Sequence, residues 1–210
     1  MIDPNNHVIS RSVLAGISIG IGCILFSYCG NNVVLGSLLF SLGFLFCTLF
    51  NLNLFTDKSC TCADFQDLRR LVLVLILNTF TAFCFGLISR ILDNSIEVTS
   101  NMVVAAHVES SLLQCIIKSL IAGFLIAAAV KLCYKSNNIN YLVFILCIVG
   151  IAVTGCFHCI SDAFYYGASS VMYDNVGSVI LRLFIVILFN FIGCNLYNLI
   201  VNKSFIHRSE

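Results

Sequence analysis

Six long runs of apolar residues, nearly free of charge, dominate the sequence. They lie at about 12–30, 32–56, 71–89, 119–130, 136–157 and 183–202. A helix needs about 20 apolar residues to cross the hydrocarbon core of a bilayer, and most of these runs approach or exceed that length. Only 10% of the residues are charged, far fewer than a soluble domain of this size uses to cover its surface. The pattern predicts an all-α, multi-pass membrane protein.

Basic residues set the orientation of the six predicted helices, which we place at about 11–30, 33–55, 69–90, 110–133, 140–167 and 178–202. Lysine and arginine accumulate on the cytoplasmic side of membrane proteins. Eight of them fall on the side of the N-terminus: Arg11, Lys58, Arg69, Arg70, Lys131, Lys135, Lys203 and Arg208. Only Arg90 falls clearly on the other side. We therefore expect cytoplasmic N- and C-termini in the cell membrane, plasma or inner.

The short loops predict a single transmembrane domain over residues 1–210. The longest outside connection, at about 92–110, separates a first half, about 11–90, from a second half, about 110–204. Three helices in each half give the halves opposite orientations, which is an inverted repeat of the kind common among transporters. Faint echoes agree with a repeat: "LAGISIG" and "IAGFLIA" in the first and fourth helices, and an asparagine in both "LILNTFTAF" and "ILFNFIGCN".

The second and fifth helices, which correspond to each other in the two halves, are both interrupted. Asn51 and Asn53 lie near the end of the second helix in "FCTLFNLNLFTDKS". The fifth helix contains "VTGCFHCISDAFYYG", with Gly155 before His158 and Asp162 after it. Broken backbone is tolerated at membrane depth only where it is buried in protein or lines a cavity. Matching interruptions therefore point to a substrate path.

These stretches resemble the formate/nitrite transporter family. "GSLLFSLGFLFCTLFNLNLFTDKS" is similar to the second-helix signature of that family, and "GCFHCISDAFYY" to the motif around its central histidine. The resemblance implies an aquaporin-like channel architecture with interrupted second and fifth helices. It also implies a homopentamer with one pore per protomer, and small monovalent anions or their neutral acids as cargo: formate, nitrite, hydrosulfide, acetate or lactate.

The resemblance further implies roles for individual residues, in three groups. The pore centre, where a histidine donates a proton, consists of His158 and Thr56. The constrictions are formed by Phe40, Phe44, Leu54, Phe55 and Ile151. Anion attraction is the implied role of Lys118, within the fourth span, and His107, at the outer mouth.

Several positions depart from the family pattern and bear on the choice of cargo. Those expected to alter the walls of the path are Phe44, Gly123, Asp162 and Ile151, and Ile151 stands where formate channels often have a second aromatic constriction. Phe44 stands where a leucine is frequent, and Gly123 where the fourth helix usually has an asparagine. Phe157 takes the place of an acidic residue before the histidine, and Asp162 that of an asparagine after it. Arg182, near the start of the sixth span, is expected to extend along its helix to the outer interface.

A titratable ring such as that of His158 can assist the transport of a weak acid along such a path. An anion in a narrow apolar pore loses hydration at a cost of about several kcal/mol, and protonation removes most of that cost. The ordinary pKa of histidine, about 6.5, lets His158 exchange a proton near neutral pH. We therefore expect a membrane channel or transporter for small monovalent weak-acid anions. We expect no enzymatic activity, no cofactor and no nucleic-acid partner.

Two cysteines beside the histidine leave a second function open. Cys156 and Cys159 flank His158 in "CFHC", as in a membrane-embedded redox or metal protein. A metal site needs about four ligands, so the remaining ones would have to come from elsewhere in the chain. Because the 12 cysteines are dispersed through the spans, we expect them to act as small apolar residues and expect no metal site.

Overall fold

The computed structural model describes residues 7–60, 65–133 and 138–206, and all regular structure within them is helical. The helices are α1 (Val8–Tyr28), α2 (Val33–Leu49), α3 (Phe55–Ser59), α4 (Phe65–Ser89), α5 (Asn94–Glu109), α6 (Leu112–Cys133), α7 (Asn138–Val153), α8 (Cys159–Ala168), α9 (Val171–Asp174) and α10 (Val176–Ile206). Among the basic residues used for the orientation, Lys135 and Arg208 lie outside the described residues, and the side chain of Lys203 is not described.

The predicted six-span architecture is confirmed, including its two interrupted spans. Within the described residues, α1, α4, α6 and α10 are long and apolar enough to cross a membrane. The apolar helices α2 and α7 are shorter, and each is followed by a break and a short helix, α3 or α8. These two pairs occupy the second and fifth predicted spans. The long helices begin and end within a few residues of the predicted positions.

The outside connection at about 92–110 is mostly helical, which the apolar pattern does not predict. It forms α5, whose N-cap is Asp93, with its carboxylate accepting a hydrogen bond from the Ser95 N–H at 2.7 Å. The buried residues of α5 share one face of the helix: Ile96, Ser100, Val104 and His107. Since that face packs against α8, α5 covers the second interrupted span.

Both interrupted spans break in the same way. After α2, Asn51 has φ +49°, and after α7, Gly155 has φ +61°. This left-handed conformation is adopted readily by glycine and, less often, by asparagine. In each break the next N–H turns back to a carbonyl of the last helical turn, at 2.8 Å after α2 and 3.0 Å after α7. The helices therefore end in a closed, hydrogen-bonded turn.

Asn78 in α4 holds the backbone of the first break. Its amide Nδ2 donates to the carbonyl of Asn53 at 3.0 Å and to that of Ser12 in α1 at 2.8 Å. Its Oδ1 accepts a hydrogen bond from the Phe55 N–H at 2.8 Å. The amide of Asn78 thus satisfies the Asn53 carbonyl in the break and the first N–H of α3, and joins both to α1.

Asn190 in α10 makes the equivalent set of bonds in the second half. Its Nδ2 donates to the carbonyls of Phe157 at 3.0 Å and Ser119 at 2.8 Å, and its Oδ1 accepts from the Cys159 N–H at 3.0 Å. Both asparagine side chains are fully buried. The predicted repeat therefore extends to the hydrogen bonds that keep each span broken.

We predict that Asn78→Ala destabilises the protein strongly. The change removes three hydrogen bonds and leaves the Asn53 carbonyl and the Phe55 N–H buried without that partner, while the Ser12 carbonyl keeps its helical bond in α1. At about 1–3 kcal/mol for each unsatisfied group, the free energy of unfolding should fall by at least about 2 kcal/mol. Denaturant titration in detergent micelles measures it. Asn31→Ala, at an exposed site, is the matched control and should change it little; equal effects of the two changes would contradict the role of Asn78.

Candidate functional site

His158 lies at the point where the fifth span breaks, as the N-cap residue of α8. Its ring Nδ1 accepts a hydrogen bond from the Ser161 N–H at 3.3 Å. A backbone N–H only donates, so in the neutral ring Nδ1 carries no hydrogen and Nε2 carries it. The Oγ1 of Thr56 lies 3.1 Å from Nε2. The N–H of His158 therefore points at Thr56, in the first turn of α3, and links the two interrupted spans.

A cavity of about 160 Å³ lies beside His158, on the side of the molecule where α5 lies. Six helices (α1, α2, α5, α6, α7 and α8) and the second break contribute to its wall, which is mainly apolar. Its lining residues are Phe26, Phe40, Val103, Ala106, His107, Lys118, Ile151, Ala152, Gly155, Cys156, Phe157, His158, Ser161, Asp162 and Tyr165. The break in the fifth span thus lines a cavity, as the interruption predicts.

Two charged or titratable side chains, Lys118 and His107, lie at the Phe157 ring of this wall, and two more lie next to His107. The ammonium of Lys118 lies 5.1 Å from the ring centre of Phe157, a cation–π distance. The His107 ring lies against the same phenyl ring, with centroids 3.9 Å apart. His107 Nδ1 is 3.0 Å from the Tyr166 hydroxyl, and its Nε2 is 3.8 Å from Asp162 Oδ1. Most of the cavity wall is therefore apolar, but Lys118, His107 and Asp162 form a polar cluster within it.

The structure brings some of the predicted constriction residues to the cavity and leaves others away from it. Phe40 and Ile151 line the cavity. Phe44 does not, but its ring centre lies 4.8 Å from the His158 ring and 5.3 Å from that of Phe40. Leu54 and Phe55 are buried at the first break, also away from the cavity wall. The part of Phe44, Leu54 and Phe55 in a pore stays a prediction.

Two expectations from the sequence differ from the structure. Gly123 does not line the cavity, because it faces the backbone of Asn190, and a Cβ there would overlap the Asn190 carbonyl oxygen. Arg182 does not reach along its helix to the interface. It is buried and donates to the carbonyls of Val108 and Ser110, at 2.8 and 2.7 Å, so it secures the end of α5.

The sequence contains a signal for cavity residues that were not predicted. Ser161 and Tyr165 line the cavity together with His158 and Asp162. Their spacing of three, four and seven residues from His158 is that of one helix face. A helix predicted to begin directly after His158 would place Ser161 and Tyr165 on the same face as that residue. Val103 and Ala106 were missed for another reason, since they lie on α5, which the apolar pattern does not predict.

The "CFHC" cluster does not form a single site. Cys156 lines the cavity, whereas Cys159 is fully buried and does not. In the part of the chain that the structure describes, no group of three or more histidine, cysteine, aspartate or glutamate residues is close enough to hold a metal ion. The metal alternative therefore gains no support from the geometry.

Comparisons with known proteins indicate a transporter family, in agreement with the interrupted spans and the cavity. The sequence model of a family described as "Formate/nitrite transporter" matches residues 3–203. The fold is similar to a solved structure described as "Pentameric formate channel with formate bound", with a TM-score of 0.77, 17% identity, and coverage of 97% of this chain and 95% of that chain. It is also similar to an "FNT family ion channel", with a TM-score of 0.78, 17% identity, and coverage of 90% and 86%. No curated protein matches the sequence.

We predict that Gly123→Ala weakens the packing of α6 against α10. The new methyl group would meet the Asn190 carbonyl oxygen, a backbone atom that cannot rotate away. Overpacking of this kind lowers the free energy of unfolding by about 1–3 kcal/mol, which denaturant titration in micelles measures. Gly150→Ala in α7 is the matched control, because no atom lies near its added methyl group. A loss of stability at Gly150 equal to that at Gly123 would contradict this packing.

Proposed function

The chain belongs to the formate/nitrite transporter family, and on this premise we propose that it is a channel for small monovalent weak-acid anions. Its cargo crosses as the neutral acid, after protonation next to His158. The observation that carries this proposal is the position of His158: it caps a broken span, forms part of the cavity wall and bonds Thr56 of the other broken span.

The composition of the cavity wall supports passage in the neutral form. The polar or charged side chains of the wall are those of His107, Lys118, His158, Ser161 and Asp162. The rest of the wall consists of aromatic and aliphatic side chains and small residues. A bare anion would lose hydration there at a cost of about several kcal/mol. Lys118 is the ammonium that lines the cavity, so it draws the anion in and offsets part of that cost. Protonation removes most of the remainder.

Ser161 gives His158 a way to hold a second proton. In the neutral ring Nδ1 accepts from the Ser161 N–H, but the Ser161 hydroxyl oxygen also lies 3.2 Å from Nδ1. When the ring is cationic, Nδ1–H donates to that oxygen while Nε2–H stays on Thr56. The Nδ1–H bond of the imidazolium then breaks and its proton passes to the Ser161 hydroxyl, which lines the cavity; that hydroxyl gives up its own proton, and an O–H or S–H bond forms on the cargo. The neutral ring regains its proton from the aqueous side of the cavity.

Assembly and orientation complete the proposal. We place the chain as one transmembrane domain with cytoplasmic termini, since the basic residues favour that side. A formate channel of similar fold is described as pentameric, and we propose a homopentamer with one pore per protomer. Large apolar side chains are exposed along the outer helices, among them Phe80 of α4 and Phe184 of α10. They suit contact with lipid or with a neighbouring subunit.

We predict that His158→Ala lowers formate flux by about 100-fold at neutral pH, the size of a typical general-acid contribution. Uptake of labelled formate into proteoliposomes, measured across a range of pH, tests this. His7→Ala is the matched control, because His7 is exposed near the N-terminus, and it should leave the flux unchanged. Flux through His158→Ala that equals wild-type flux at every pH would rule out the histidine as proton donor.

We predict that Phe44→Ala admits larger acids. Truncation of the ring that lies between Phe40 and His158 should widen the passage, so that acids excluded by the wild type enter proteoliposomes. A panel of carboxylic acids of increasing size measures the cutoff. Phe80→Ala, on the exposed face of α4, serves as the control and should not shift it. An unaltered cutoff in Phe44→Ala would place Phe44 outside the path.

A further inference from the structure

Asp162 is a carboxyl group in the wall of a cavity that we propose to carry anions. It lies one helical turn after His158 on the same face of α8 and is 3% exposed. Its Oδ2 has no hydrogen-bond partner among the described residues. Its Oδ1 has an ion-pair partner in that part of the chain, His107 Nε2, at 3.8 Å, which is too long for a hydrogen bond. A buried polar group with an unused oxygen requires an explanation.

The surroundings of Asp162 favour the neutral carboxylic acid. Burial of a carboxylate costs about several kcal/mol unless cations and donors are close. The Lys118 ammonium lies over the Phe157 ring, and no salt bridge between Lys118 and Asp162 is present in the described part of the chain. A neutral carboxyl group carries one O–H donor, and no acceptor for it lies within hydrogen-bond distance among the described residues. Oδ2 is enclosed, so the donor serves a molecule in the cavity when the proton is on Oδ1.

We propose that the neutral carboxyl group of Asp162 donates a hydrogen bond to the cargo and makes the cavity select oxyanions, such as formate and nitrite, over hydrosulfide. This inference rests on the proposed function and names the cargo class of the same cavity. An O–H group bound to an anionic oxygen makes a short, strong hydrogen bond. Sulfur is a weak acceptor, so hydrosulfide gains little from the same donor.

Lys118 and Asp162 act differently on the cargo. The ammonium attracts every monovalent anion alike, because its attraction depends on charge and distance. The hydrogen bond from Asp162 depends on the acceptor atom, and it therefore distinguishes oxygen from sulfur. Both groups line the cavity with His158, so the cargo meets the selecting donor in the same cavity as the proton donor.

Competition for formate uptake tests the selectivity. The measured quantity is the concentration of unlabelled nitrite, and of hydrosulfide, that halves labelled formate uptake into proteoliposomes. In the wild type, hydrosulfide should require a concentration at least about tenfold higher than nitrite, the value of one hydrogen bond to a charged group. Asp162→Leu removes the donor at similar size and should bring the two concentrations close together. Asp162→Asn keeps an N–H donor and should hold the ratio within about threefold of the wild type.

Asp174→Asn is the matched control, since Asp174 is exposed on α9 and does not line the cavity; it should keep the wild-type ratio. An unchanged ratio in Asp162→Leu, or equal loss in Asp162→Leu and Asp162→Asn, would overturn the inference. If Asp162→Leu does not assemble, Asp162→Asn decides alone. In Asp162→Asn, an unchanged ratio of the two concentrations supports the inference. A gain in formate uptake of about tenfold in that variant, expected when a repelling charge is removed, overturns it. No formate uptake by the wild type would instead contradict the proposed function.

Discussion

Two buried asparagine side chains keep two membrane spans broken, and the rest of the structure depends on them. A break inside a bilayer exposes backbone N–H and C=O groups that have no water to bond, which is why continuous helices are the rule there. Asn78 and Asn190 each supply one acceptor and one donor to such a break, and a second donor to a neighbouring helix, α1 or α6. With these groups satisfied, α3 and α8 can begin in the protein interior. His158 then lies at the start of a helix, next to a cavity.

Most of the fold follows from the sequence, because length and hydropathy are enough to define a span. The breaks were visible as Asn51 and Gly155, the residue types that accept a left-handed backbone, and the repeat as paired asparagines. The helix α5 was not visible in this way. It is too polar to stand out as a span, and its signals are an N-cap at Asp93 and a buried stripe spaced by three and four residues.

The candidate site could be predicted only in part, since a motif names positions but not the directions of side chains. Thr56 and His158 were expected together, and their atoms lie 3.1 Å apart. Gly123 was expected at the pore wall, but close packing turns it to the backbone of α10. The cavity that results combines an ammonium, two imidazoles and a carboxyl group within an apolar wall. In a mainly apolar wall polar groups act more strongly on a bound molecule than they would in water, and under the proposed function small changes among these residues set what passes.

The most direct test is a cryo-EM structure of the protein in lipid nanodiscs, determined with and without formate. We expect non-helical backbone at 50–54 and 154–158, with both asparagines bonded to it. We also expect difference density for formate in the cavity, within hydrogen-bond distance of His158 or Asp162. Continuous helices through either segment, or a His158 ring enclosed by side chains with no cavity beside it, would contradict the account.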